Sequence, residues 1–178
     1  MRSRKIFIPL ILICLYGLEA EAQRVSKSHQ QLHFSAEDET VQRTAEIPQD
    51  VWKILQKDSG VQNVLENENL TAEQLPRSWF LTSAVHLDCP QENDLLVIAY
   101  DRLRGANVTT FWLFTQTPKG MKLVLTAPAH DLFIKSSRSH GHRDIHMVKM
   151  TGARILSTTF RYDGNQFRES SSSNQPIQ

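Results

Sequence analysis

Apolar residues concentrate in the middle of the chain, between Asn93 and Gln116. From Asp94 to Tyr100, Leu95, Val97 and Ala99 alternate with Leu96, Ile98 and Tyr100. Successive side chains of a strand point to opposite faces, so this run predicts a strand covered on both sides. Its shortness and its Val, Ile and Tyr content favour strand over buried helix. Thr109 to Thr115, TTFWLFT, predicts a second strand, with Phe111 and Leu113 on one face and Trp112 and Phe114 on the other. Burying one such side chain is worth roughly 1.5–3 kcal/mol, so this pair of strands supplies much of the core. Gly105-Ala106-Asn107 between them suits a reversal, because Gly and Asn tolerate positive φ.

The pattern changes on either side. Ile47, Val51, Ile54 and Leu55 form the stripe of an amphipathic helix, with Pro48 at its start and Gly60 as a stop. Val61, Val64 and Leu65 continue in a short helical turn, and Thr71 with Gln74 has the form of a capping box limited by Pro76. Further strands are predicted over Trp79–Leu87, Met121–Thr126, Asp131–Ser136, Asp144–Met150 and Ile155–Tyr162. Asp163-Gly164 predicts a two-residue type I′ hairpin, which would set Tyr162 opposite Asn165 and Phe160 opposite Phe167. The expected fold is α+β: short N-terminal helices packed on one antiparallel meander sheet of about seven strands.

The ends change the picture of what is mature. Arg2, Arg4 and Lys5 precede an apolar run from Ile6 to Leu18, and Ala20-Glu21-Ala22 gives an A-x-A pattern. Residues 1–22 therefore read as a secretory signal, with an uncleaved anchor as the alternative. Residues 23–46 are polar and read as a flexible leader, 47–169 as a single domain, and the Ser-rich 170–178 as a disordered tail. Without the signal the chain keeps 17 basic and 17 acidic residues. A net charge of zero argues against binding nucleic acid or anionic membrane nonspecifically. Of two cysteines, Cys14 lies in the signal, so Cys89 has no partner in the mature chain and packing must hold the fold.

The segment Val85 to Val97, VHLDCPQENDLLV, resembles the calcium loop of FG-GAP or VCBS-type repeats. Carried over by position, His86, Asp88, Pro90 and Asp94 stand at four ligand places, and Gln91 replaces the glycine. Two oxygen ligands are lost, whereas calcium takes six to eight, so the resemblance implies the turn without the metal. Over residues 79–169 the chain is also similar to small exported bacterial proteins of unknown function. That likeness rests on this loop, on Gly105-Ala106-Asn107 followed by Phe111-Trp112, on Gly141 to Ile145, and on Tyr162-Asp163-Gly164. It implies the compartment and a β-rich fold and no reaction.

Candidate chemistry is sparse. His140, His142 and His146, with His130 upstream, form the one histidine cluster. In a strand His140 and His142 would share a face that His146 joins, and Asp144 could complete a zinc or copper site. The competing reading is a polar loop entering a strand. Cys89 precedes Pro90 with no flanking basic residue to activate it, and no Gly-x-Ser-x-Gly elbow occurs. Glu37-Asp38-Glu39 reads as a solvated run. Arg102, Arg104, Arg138, Arg143 and Arg154 either line an anion-binding edge or are simply solvated. Asn69-Leu70-Thr71 and Asn107-Val108-Thr109 match the glycosylation sequon, which matters only in a eukaryotic host.

These patterns favour an exported, periplasmic or secreted, non-catalytic binding module. Its partner would be another envelope or secreted protein, with no cofactor, no nucleic acid and no transmembrane segment after signal cleavage. The alternative is a small metal-binding protein or metal-dependent hydrolase using the His130–His146 region.

Overall fold

The computed structural model describes residues 30–88 and 94–177. The predicted signal, and Cys89 with the centre of the calcium-type loop, lie outside them. In chain order the elements are β1 (His33–Ser35), α1 (Gln49–Leu55), α2 (Ser59–Asn67), β2 (Phe80–Val85), β3 (Asp94–Ala99), β4 (Thr109–Thr117), β5 (Gly120–Ala129), β6 (Asp131–Ser139), β7 (His142–Thr151), β8 (Arg154–Tyr162) and β9 (Phe167–Pro176).

The meander is present but divides into two antiparallel sheets, so the single sheet of about seven strands is corrected. One sheet has the order β2-β3-β4-β5, the other β1-β6-β7-β8-β9. The division falls at His130, the one residue between β5 and β6. A strand that bends from one sheet to the next makes a sandwich corner. The local pattern of β5 and β6 is ordinary for strands, and only the packing reveals the change of sheet.

The organising strand is covered on both faces as expected: every residue of β3 is buried. Leu96 and Ile98 join Phe111, Leu113, Leu132, Ile145 and Phe167 in the core between the sheets. Leu95, Val97, Trp112 and Phe114 join Val51, Leu55, Val61 and Leu65 beneath the helices. The layers are therefore the five-stranded sheet, the four-stranded sheet, then α1 and α2. The helices cover only the second sheet.

Several local expectations change. Gly60 does not stop a helix. It lies in the first turn of α2, where Asp58 Oδ1 accepts from the Gly60 and Val61 amides at 2.9 and 3.2 Å. The Thr71–Gln74 pair is formed on a three-residue 3-10 turn, with Gln74 Oε1 accepting from the Thr71 amide at 2.9 Å. Gly105 is needed for close approach rather than for positive φ: a Cβ there would stand 2.7 Å from the Val108 carbonyl. The Asp163 hairpin is longer than two residues. The Asp163 carboxylate accepts from the Asn165 and Gln166 amides at 2.9 Å each. That Asx-type turn sets Tyr162 opposite Phe167 and Phe160 opposite Glu169, replacing the predicted register.

Both supposed loose ends contain structure. In the leader, Phe34 is fully buried in the inter-sheet core and β1 pairs with β6. Thr44 bridges Ser83. In the tail, β9 pairs with β8 as far as Pro176. One aromatic in a polar stretch, and a serine run, were too weak locally to predict strands. They acquire order from the neighbours whose ladders they complete.

Candidate functional site

Polar side chains gather at the end of the sandwich where the β6–β7 and β8–β9 turns meet the start of β3. Asp94, the last calcium-type position, is buried with its residue 1% exposed. Its Oδ2 accepts from the Leu87 amide at 2.8 Å and its Oδ1 from Thr115 Oγ1 at 2.7 Å and the Gln116 amide at 3.3 Å. Burial lifts its pKa above the ordinary aspartate value, and these hydrogen bonds oppose the shift only in part. The carboxylate thus clamps the ends of β2 and β4 together.

The three predicted metal ligands are not brought together. His140 occupies the β6–β7 turn with φ of 48°, and its Nδ1 lies 2.8 Å from the Tyr162 carbonyl. His142 turns toward the core. Its ring stacks on Tyr162 at 3.9 Å, and its Nε2 lies 3.4 Å from Thr115 Oγ1 and 3.9 Å from Asp88 Oδ2. His146 stands on the outer face of the five-stranded sheet, with Nδ1 3.2 Å from Thr159 Oγ1. Burial, with Lys135 nearby, holds its imidazole below the usual histidine range. The simple alternation assumed for 140–146 fails because Ser139, His140, Gly141 and His142 make a turn, so His140 is not on the strand. Asp144 accepts from the hydroxyls of Ser137 and Ser139, one on each oxygen at 2.7 Å. His130 hydrogen-bonds the Asn107 carbonyl at 3.1 Å. Among the described residues no three His, Cys, Asp or Glu side chains are placed to share one cation.

Nor is the Asp94–Thr115–His142 series arranged for nucleophilic attack. The Thr115 hydroxyl donates to Asp94, leaving its oxygen to accept from His142, so the imidazole is not placed to take the threonine proton. Thr115 is also buried. The five arginines noted in the sequence are dispersed in role. Arg138 Nη1 donates to the Leu87, Asp88 and Gly141 carbonyls, and Arg104 lies over Tyr100.

The outer face of the five-stranded sheet carries what the sequence reading missed. The register aligns His33, Phe133, His146, Thr159 and Ser171 in one row across all five strands. His33 stacks on Phe133 at 4.3 Å with the rings nearly parallel, and Phe133 meets His146 at 6.1 Å. His33 Nε2 also reaches Asp131 Oδ1 at 2.8 Å. The next row is Asp131, Val148, Ser157 and Ser173. Beyond it stands Met150, 41% exposed, opposite Ile155. Among the described residues the exposed large hydrophobics are Leu32, Met150 and Ile177, all in this sheet or at its strand ends. Strict alternation along β7 would have flagged His146, Val148 and Met150. The partners from β1 and β9 were invisible while those segments read as leader and tail.

No family model matches this chain, and no curated protein and no solved structure was found to be similar to it. No helix among the described residues is long and apolar enough to cross a membrane.

Proposed function

We infer that this chain is an exported, non-catalytic interaction module that meets a partner protein of the envelope or the secreted fraction through the outer face of its five-stranded sheet. The observation that carries this reading is the asymmetry of cover. α1 and α2 bury the outer face of the four-stranded sheet, while the corresponding face of the other sheet carries a mixed aromatic, histidine and hydroxyl surface with Met150 beside it. Antiparallel sheets tolerate one solvated face, but that face is then normally polar. Aromatic groups and methionine in a polar surround suit a partner surface. The Ile6–Leu18 run and the Ala20-Glu21-Ala22 pattern support export.

The test compares capture of exported proteins by the immobilised wild type and by a Met150→Lys, Ser171→Lys double variant. Both positions are exposed, so folding is retained, which circular dichroism checks. A specific partner retained by the wild type and lost by the variant is expected. Equal capture by both would refute the face.

A further inference from the structure

The β8–β9 register sets Arg161 directly opposite Arg168. Side chains directly opposite on a sheet stand about 4.5–5.5 Å apart at Cβ, and like charges there repel. Each guanidinium has a carboxylate beside its Nε, Asp163 for Arg168 and Asp144 for Arg161, but its terminal N–H groups lie outside those contacts. Arg168 gives its Nε to Asp163 Oδ2 at 2.5 Å. That carboxylate is shared with the Asn165 and Gln166 amides, which together with Arg168 pull its pKa down to about 2. Arg161 Nε lies 3.9 Å from Asp144 Oδ2, which also accepts from Ser137. Both arginine side chains are more than half exposed, at 63% and 66%. Both residues line an open pocket of about 430 Å³ together with Ser139, His140, Asp163, Glu169 and Ser170.

The acidic residues of the pocket offset part of this charge and leave the terminal N–H groups of both arginines without a hydrogen-bond partner among the described residues. Asp163 is spent on the turn and on Arg168 Nε. Glu169 also lines the pocket but is exposed, and among the described residues it pairs with neither arginine. The two hydroxyls are committed as donors elsewhere, Ser139 to Asp144 and Ser170 to the Thr159 carbonyl. The donors left for a ligand are therefore the two guanidinium forks.

The geometry points to an oxyanion site in which a phosphate or sulfate ester bridges Arg161 and Arg168. Guanidinium forks match tetrahedral oxyanions through paired N–H···O bonds, which are stronger than neutral hydrogen bonds. A bridging anion also relieves the repulsion of the facing pair. The pocket exceeds the volume of a bare phosphate, leaving room for the group that the ester carries. The site stands apart from the partner-face reading, since it needs only the two arginines and their pocket.

Calorimetric titration with inorganic phosphate, inorganic sulfate, methyl phosphate and methyl sulfate tests it, at ionic strength matched with chloride. Saturable one-to-one binding of at least one of these is expected. Arg161→Gln and Arg168→Gln should each weaken it roughly tenfold or more. Arg161→Lys, which keeps the charge but loses the fork, should fall between, and Arg102→Gln should change nothing. The ester-to-inorganic ratio separates a site for free anions from one for esters. If none of the four saturates, or if binding survives both glutamine variants, the site does not exist as described. Arg168→Gln also loosens the Asp163 turn, so the Arg161 variants, which leave that turn intact, decide the matter.

Discussion

The indole N–H of Trp112 donates to Oδ2 of Asp58 at 3.0 Å, while Oδ1 of the same carboxylate caps helix α2. One side chain thus starts the helix and fastens it to the central strand β4. Trp112 further meets Phe80, which meets Trp52 of α1, in edge-on contacts at 5.9 and 5.7 Å. The helical layer is therefore fixed by direction as well as by apolar burial.

Asp58→Ala should remove the cap and the tether together. Loss of an N-cap costs about 0.5–2 kcal/mol, and an unpaired buried indole N–H about 1–3 kcal/mol. A loss of about 2 kcal/mol or more is expected from urea unfolding. Trp112→Phe keeps the cap but loses the tether and part of the buried ring, so it should also destabilise, through the cavity it leaves.

The clamp at Asp94 gives a paired prediction. Asp94→Ala leaves the Leu87 and Gln116 amides and the Thr115 hydroxyl without their acceptor, and about 3 kcal/mol should be lost. Asp94→Asn should cost less than Asp94→Ala, because a neutral side chain escapes the burial penalty, its oxygen can still accept from Leu87 and its amide can donate to Thr115 Oγ1, leaving only the Gln116 amide without an acceptor. The folded pKa of Asp94 lies above 3.8, so folding favours the protonated form. Its contribution is present below the unfolded value and lost as pH rises through the raised value. That loss should be missing in Asp94→Asn, whose stability should climb more steeply with pH through the acid range than the wild type's, since Asp50, Glu73 and Asp163 are held below their ordinary values.

His146 acts with the opposite sign. Its folded pKa is depressed below 6.5, so the unfolded chain takes up the proton first. Its contribution is complete above 6.5 and is lost as pH falls toward the folded value. His146→Gln should show a shallower fall in unfolding midpoint between neutral and mildly acid pH than the wild type.

Ser83 provides a substitution expected to stabilise. Its hydroxyl is buried without a hydrogen-bond partner among the described residues. By alternation with Val85 it faces the core between the sheets. Ser83→Ala should raise stability by up to about 1 kcal/mol, since it removes an unsatisfied polar group. A loss larger than that would mean the hydroxyl is bonded after all.

Legibility in the sequence followed the strength of local signals. The faces of β3 and β4 could be read directly, because aromatic and β-branched residues alternate there without interruption. Leu96 and Ile98 do face one core, and Val97 and Trp112 the other. The change of sheet at His130 left no mark in composition. The Asp163 hairpin departs from the Asp-Gly pattern because the aspartate side chain captures two amides and lengthens the turn. The histidines stand apart because His140 lies in the β6–β7 turn with a positive φ, which strand alternation does not anticipate. The facing arginines Arg161 and Arg168 followed from the register alone, and the predicted register was wrong.

The most direct measurement is site-specific photo-cross-linking in the producing host, with the reactive group at Ser171 on the open sheet face or at Glu66 on the exposed side of α2. The uncovered sheet as the working surface predicts a discrete adduct with another exported protein from position 171 and none from position 66. Adducts from position 66 alone, or the same adducts from both, would contradict it.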